Sequence, residues 1–263
     1  MKILFIGDIF GKTGRRAVKE VLPSLKIQKE IDFVIGNAEN ATHCRGLNLK
    51  HYNELMSCGI DFFTMGNHTW RHNEIFSILM QEKNIIRPVN IDGNHKFGQI
   101  GIGSKIVYIK NIPVRITNLI GESIKMNNLQ TNPFVFLNNI INSDEKDIIH
   151  IVDFHAETTS EKNALFYEFK NKVTAIFGTH THIQTSDNKI KNNTAYITDV
   201  GSTGPEDGVI GAKGINVVNK FKNLTENFIL EEEIGKYKFS AVVLEIDENT
   251  KKPISLERIL IYE

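Results

Sequence analysis

IGDIFGKTGRR (residues 6–16) closes an apolar run and opens a helical pattern, with Gly7, Gly11 and Gly14 spaced much as in a nucleotide-binding loop and Lys12-Thr13 just ahead of the helix. A phosphate-cradling P-loop needs G-x-x-x-x-G-K-[ST], because that length wraps backbone N–H groups around the phosphates. Here only three residues separate Gly7 from Gly11. One of them, Asp8, would set a carboxylate beside the anion that the loop should hold. An aspartate at a strand end is better matched to a cation. The stretch therefore speaks against a P-loop NTPase and turns attention to the other strand ends.

The 263 residues are enough for one large domain spanning 1–263 with a substantial core. Lys plus Arg equals Asp plus Glu at 31 each, so no general nucleic-acid or anionic-membrane surface is expected. Two cysteines, Cys44 and Cys58, encode neither a disulfide framework nor a thiolate zinc knuckle. The N-terminus enters a strand-like run at once, without a long apolar leader. No apolar stretch approaches the ~20 residues that span a bilayer. A cytoplasmic protein is the expectation.

Outward from residue 6, short apolar runs alternate with amphipathic segments. KILFIG, DFVIGN, DFFTMGN and IIRPVNI read as strands, and TGRRAVKEVLPSLKIQ, LKHYNELMSCG and HNEIFSILMQEK as helices. That alternation predicts βαβ units and a sheet covered on both faces. Beyond residue 97 the pattern changes. GSKIVYIKNIPVRITNLIG predicts a hairpin turning near Asn111, and PFVFLNNIIN a helix. DIIHIVDFHAE reads as a strand, SEKNALFYEFKNK as a helix capped by Ser160, and TAIFGTHTH and TAYITDVGS as strands. FSAVVLEIDENTKKPISLERILIYE closes the chain as an antiparallel hairpin. Two sheets with helices outside, in one domain, is the expected architecture.

Polar residues stand where the apolar runs end: Asp8, Glu39-Asn40, Asn67-His68, His155, and His180 with His182. Ligands of α/β sheets bind beyond the carboxyl ends of strands, so these positions can converge on one edge. Singly, each has an ordinary role as a turn or cap residue. Together, two carboxylates, two asparagines and three histidines match the N/O chemistry that Mn, Fe or Zn prefers. His180-Thr181-His182 places two imidazoles on one side if the strand continues through them.

The segments Gly7-Asp8, Ala38–Asn40, GNHTW (66–70), DFHAETTSEK (153–162), GTHTH (178–182) and ITDVGSTGP (197–205) resemble the calcineurin-like metallophosphoesterases, and within them the bacterial YmdB-type cyclic-nucleotide phosphodiesterases. The resemblance runs nearly end to end. It implies a four-layer α/β/β/α sandwich and two transition-metal ions, divalent or mixed-valence, with Fe or Mn favoured. Asp8, Glu39, Asn40 and His182 would hold the first ion. Glu39, as a bridge, with Asn67, His155 and His180 would hold the second. A metal-bridging hydroxide would attack the phosphodiester, and His68 would be the general acid.

Most phosphoesterases of this superfamily carry Asp-x-His at the first strand, whereas this chain has Asp8-Ile9-Phe10, which leaves room for Asn40 as a ligand. Two divalent ions and two carboxylates with a hydroxide leave the centre near +1, suited to a singly charged diester. His43 and Arg45 are candidates for substrate contact. His150 reads as structural, Cys44 as a passive loop thiol, and His51, His72 and His95 as surface residues. The expected partner is a small cyclic nucleotide or another phosphodiester, and a homo-oligomer is left open. The competing reading is a nucleotide- or metal-sensing regulator with weak turnover.

Overall fold

Short β-branched and aromatic runs become strands, and the longer amphipathic segments become helices. The structure, a computed structural model, describes residues 1–126, 129–143, 148–225 and 228–263. In chain order the elements are β1 (Lys2–Ile6), β2 (Asp8–Ile9), α1 (Gly11–Lys29), β3 (Phe33–Asn37), α2 (Leu49–Ser57), β4 (Phe62–Thr64) and α3 (Glu74–Gln81). There follow β5 (Ser104–Ile109), β6 (Ile112–Ile120), α4 (Pro133–Ser143), β7 (Ile149–His155), α5 (Thr159–Phe169) and β8 (Ala175–Thr179). The chain ends with β9 (Lys189–Lys191), β10 (Thr194–Ile197), β11 (Ser202–Pro205), α6 (Gly214–Phe221), β12 (Tyr237–Ile246) and β13 (Pro253–Tyr262).

Among the described residues the strands form two sheets. One runs β2-β11-β12-β1-β3-β4, with β13 also on β12, and the other β5-β6-β7-β8-β10-β9. β1, β3 and β4 are parallel, as are β6, β7, β8 and β10. Parallel strands finish at a common edge, which is what brings distant strand-end residues together.

Period-two alternation divides the apolar side chains between separate clusters. Ile3, Phe5, Ile35 and Phe62 of the first sheet meet Ile116, Ile151, Phe177 and Ala195 of the second. Phe5 and Phe177 have ring centroids 5.3 Å apart. The alternate residues of the first sheet, Leu4, Val34 and Phe63 among them, pack on Val18 and Leu22 of α1, Leu55 of α2 and Ile78 of α3. Val152, Phe154 and Ile176 of the second sheet pack on Leu137 of α4 and Leu165 and Phe169 of α5. Each fully buried side chain of this size contributes about 1.5–3 kcal/mol.

Four local expectations need correction. IIRPVNI is not a strand. Ile85 and Ile91 make only isolated bridges, to Phe63 and Gln130. Pro88 has no N–H to offer a ladder, and the segment instead passes from Phe63 of one sheet to Asn118 of the other, onto whose carbonyl Val89 donates. α5 is capped by Thr158, whose hydroxyl accepts from Glu161 N, and not by Ser160. TAYITDVGS does not continue as one strand. β10 ends at Ile197, and the chain then crosses to the first sheet, where β11 begins at Ser202. His51 is buried, its Nδ1 2.8 Å from Thr42 Oγ1, because α2 turns that face inward. The hairpin near Asn111 forms between β5 and β6, and β12 and β13 pair as the closing hairpin. Asp147, first residue of the expected strand DIIHIVDFHAE, lies outside the described residues.

Candidate metal centre

Five strand ends supply the cluster. Asp8 follows β1, Glu39 and Asn40 follow β3, and Asn67 and His68 follow β4. His155 is the last residue of β7, and His180 and His182 follow β8. β8 stops at Thr179, so the two histidines do not share a strand face. They sit in a turn with left-handed backbone, φ 96° and 66°. Such strain costs of order 1–3 kcal/mol per residue and persists only where its surroundings hold it. Here His180 N donates to Asp8 Oδ2 at 3.0 Å, and Thr181 donates to Asp199 through both N and Oγ1.

Nε2 of His155 is the meeting point. It lies 3.2 Å from Glu39 Oε1, 3.0 Å from Asn67 Oδ1 and 3.0 Å from His180 Nδ1. One ring nitrogen carries at most one proton and cannot satisfy three such partners. Ligand atoms of Glu39, His155 and His180 all fall within 4.8 Å of one another. The same Glu39 oxygen accepts from Asn40 Nδ2 at 3.0 Å, and that nitrogen is 3.2 Å from His182 Nε2. Rotating the Asn40 amide by half a turn would present its oxygen to the same point. Asp8 Oδ1 is buried without a hydrogen-bond partner among the described residues. A buried carboxylate oxygen left so is costly unless a cation meets it. The donor set and this orphaned oxygen fit divalent metal ions.

Surrounding groups fix the ring orientations, as outer partners of metal ligands do. His155 Nδ1 is 2.9 Å from Thr179 Oγ1, which donates to Asp153 Oδ1 at 2.7 Å, while Asn37 donates to Asp153 Oδ2 at 3.0 Å. His182 Nδ1 donates to the Ile210 carbonyl at 2.8 Å, leaving Nε2 for the cluster. His180 Nε2 pairs with Glu157 Oε2 at 2.8 Å, leaving Nδ1.

Charge is finely opposed in this cluster. Burial raises the Asp8 carboxyl above its ordinary value, against the lowering effect of His182 and His155. Burial acts on Glu39 in the same direction, but His155 and the other imidazoles outweigh it and hold that carboxyl below its ordinary value. Burial would lower His155, yet Glu39, Asp8 and Asp153 push it up to about 9. Burial and then His155 push His180 down to about 3. The cluster therefore draws positive charge to the point where Glu39 and His155 meet.

Above it opens a cleft of about 420 Å³ lined by Glu39, Asn40, His68, His180 and His182, with Arg45 beside them. His68 N donates to Glu39 Oε2 at 2.9 Å. Burial pushes the His68 imidazole below its ordinary value, against the raising effect of Glu39. Arg45 Nε is buried without a partner among the described residues. His43 is not among the residues that line the cleft. It is exposed, with its ring 6.1 Å from that of His51. Cys44 lines the cleft, but burial pushes its thiol up to about 12, which keeps it protonated and inert.

The N-terminus of α1 is occupied by the chain itself. Lys12 N and Thr13 N donate to the Glu232 carboxylate at 2.8 and 2.6 Å. The N–H groups that a phosphate would need already hold a carboxylate 220 residues away. Another pair carries no local mark in the sequence: Lys162 Nζ and Asp199 Oδ2, 2.7 Å apart and both buried. Asp199 also accepts from Gly201 N, so this ion pair anchors the His180–His182 turn from beneath. Both residues stand in the DFHAETTSEK and ITDVGSTGP motifs, the one available signal of their use.

Among the described residues no helix is long and apolar enough to cross a membrane. The family model for YmdB-like proteins matches residues 4–259. A relative from Bacillus subtilis (strain 168), named 2′,3′-cyclic-nucleotide 2′-phosphodiesterase, is 43% identical over 272 residues, covering 99% of this chain and 97% of its own. A crystal structure described as a novel phosphatase from Mycoplasma pneumoniae is similar with a TM-score of 0.95 and 42% identity, covering 100% of this chain and 93% of that one. A protein from Thermus thermophilus, described as hypothetical, gives a TM-score of 0.91 at 31% identity, with both chains covered completely. With the strand-end cluster in place and similarity along its whole length, the chain belongs to the YmdB-like protein family.

Proposed function

We propose that the protein is a metal-dependent phosphodiesterase that hydrolyses cyclic nucleotides, 2′,3′-cyclic, 3′,5′-cyclic or both. One observation carries this reading: three polar atoms converge on buried His155 Nε2, and two of them belong to Glu39 and His180, which line the cleft. The named activity of the Bacillus subtilis relative supports the substrate class. The reading includes a single four-layer α/β/β/α domain, which the division of the apolar side chains into inner and outer clusters supports.

Asp8, Glu39, Asn40 and His182 would hold one ion, and Glu39, Asn67, His155 and His180 the other, with Fe or Mn suited to these nitrogen and oxygen donors. When bound, such ions supply Lewis acidity that activates water and neutralises charge on the phosphoryl oxygens. The chain's own groups do the rest. Arg45 brings to the cleft a guanidinium whose Nε has no partner among the described residues, and binds the diester anion. His68, held by its own N–H on Glu39, places its imidazole in the same cleft and donates a proton to the departing hydroxyl oxygen.

Manganese-loaded protein assayed on 2′,3′-cyclic AMP and on bis(p-nitrophenyl) phosphate tests this, with and without a chelator and beside His68→Ala. Chelation is expected to abolish both activities. His68→Ala is expected to keep its metal and lose about 10²–10⁴-fold on the cyclic nucleotide. Its loss on the nitrophenyl diester should be far smaller, because nitrophenolate departs without a proton. Full activity after verified metal removal would contradict the reading. Equal losses on both substrates would reassign His68 to phosphate binding.

A further inference from the structure

The cleft has two unlike sides. Its floor is the polar cluster and Arg45; the rest of its lining includes an apolar wall of Ile210, Val217, Phe221, Phe228 and Leu230. Phe221 is 80% exposed and Ile210 48% exposed, so core packing does not account for either. Lys220 Nζ stands 4.5 Å from the centroid of the Phe228 ring.

The wall is fastened in place. Lys213 N donates to the Glu231 carbonyl at 2.8 Å and Glu233 N to the Gly211 carbonyl at 3.0 Å. The Glu233 carboxylate accepts from Gly214 N, at the start of α6, at 3.0 Å. The Glu232 carboxylate is seated on α1. Loop, helix and returning strap are thus tied to one another and to the first helix. An exposed aromatic on a fastened support is a preformed contact surface, with little ordering left to oppose binding.

We propose that this wall is a nucleobase shelf. The phosphate of a bound nucleotide is fixed at Arg45 and the Glu39–His155–His180 cluster, and its planar base lies against Phe221 and Ile210 with Lys220 at the rim. The inference rests on the phosphodiesterase reading and deepens it by assigning the side chains that recognise the nucleoside. Apart from Lys220, the named wall residues carry no side-chain donor or acceptor to read a base edge. Every base has a π-face, so stacking here is tolerant of sequence. The protein therefore separates a nucleotide from a bare sugar phosphate, and separates one base from another only weakly, purines gaining through their larger face.

Phe221→Ala tests the shelf, since its side chain is exposed and its removal leaves the core intact. Turnover is measured on 2′,3′-cyclic AMP and on the 2′,3′-cyclic phosphate of methyl riboside, which lacks a base. Phe221→Ala is expected to raise KM for the nucleotide about tenfold, within the range of one lost stacking contact, and to leave kcat unchanged. Neither constant should change for the base-less substrate. Equal KM values for the two substrates in the unaltered enzyme, or equal losses on both in Phe221→Ala, overturn the shelf. Calorimetric titration of manganese-loaded protein with 5′-AMP and with ribose 5-phosphate reads binding without turnover. AMP is expected to bind about tenfold tighter, with the difference lost in Phe221→Ala. Should neither cyclic phosphate be hydrolysed, the phosphodiesterase reading falls, and equal affinities for AMP and ribose 5-phosphate would then overturn the shelf separately.

Discussion

Nε2 of His155 lies 3.2 Å from Oε1 of Glu39 with both side chains out of solvent, and Gly66 is what allows them to meet. A Cβ at residue 66 would stand 2.3 Å from Glu39 Oε2 and 2.4 Å from His155 Nε2. At such distances one of the two ligands must shift, and both are packed in buried surroundings that resist it. Gly66→Ala is therefore expected to bind metal at least about tenfold more weakly, as when other supports of metal ligands are lost. Metal titration of the refolded, chelator-treated variant reads this. Unchanged affinity would mean that residue 66 does not govern how the two ligands meet.

Glu39 and Asn40 are adjacent but differ in what they hold. Glu39 Oε1 faces both the His155 side and the Asn40–His182 side, whereas Asn40 faces only one. Glu39→Ala should abolish binding at both positions, and Asn40→Ala should spare at least the ion beside His155. Elemental analysis of both variants decides the matter. Equal metal content in the two would remove Glu39 from its bridging place.

The helix N-terminus that resembles a phosphate cradle gives a paired prediction. Lys12→Ala should leave turnover intact, because the Lys12 side chain is exposed and, among the described residues, only its backbone N–H is engaged. Glu232→Ala frees two N–H groups of α1 and should lower stability by about 1 kcal/mol, the size of a lost helix cap. Thermal melts and activity assays of the two variants are sufficient. Loss of activity in Lys12→Ala alone would restore the phosphate-cradle reading.

His150 carries a pH prediction away from the cluster. It is buried with Nε2 2.8 Å from Thr117 Oγ1, and burial followed by Arg115 pushes it down from 6.5 to about 3. As pH falls through 6.5, the unfolded chain takes up a proton that the folded chain refuses. Stability from this group is lost progressively until about pH 3, where the folded state protonates too. His150→Gln removes the titration while keeping a polar partner for Thr117. Its denaturation midpoint, measured with chelator present, should depend less on pH between about 6 and 4 than that of the unaltered protein. An identical slope would show that His150 plays no part in acid sensitivity.

Strand ends are legible in the sequence because local pattern and motif coincide there. Asp8, Glu39, Asn40, Asn67, His68, His155, His180 and His182 each close an apolar run, and polar contacts link all eight across the strand ends of the two sheets. What depends on distant contacts is not legible. Lys162 and Asp199 lie 37 residues apart, and Glu232 reaches α1 across 220. Nothing local marks either pairing. α6 gives little signal because its eight residues lack a capping side chain at Lys213. His43 is near Glu39 in sequence, but its left-handed backbone, φ 48°, sits in a turn whose exposed side it occupies. Thr158 caps α5 because it has extended backbone just ahead of the helix and its hydroxyl reaches Glu161 N, whereas Ser160 already lies inside the helix.

The central claim is that Glu39 stands between two metal positions, and anomalous diffraction at the manganese edge tests it most directly. Crystals grown with Mn²⁺ and no chelator should show two peaks about 3.5–4 Å apart, with the Glu39 carboxylate reaching both. His155, His180 and Asn67 should surround one peak, and Asp8, Asn40 and His182 the other. A single peak, or two peaks that Glu39 does not join, would contradict the account.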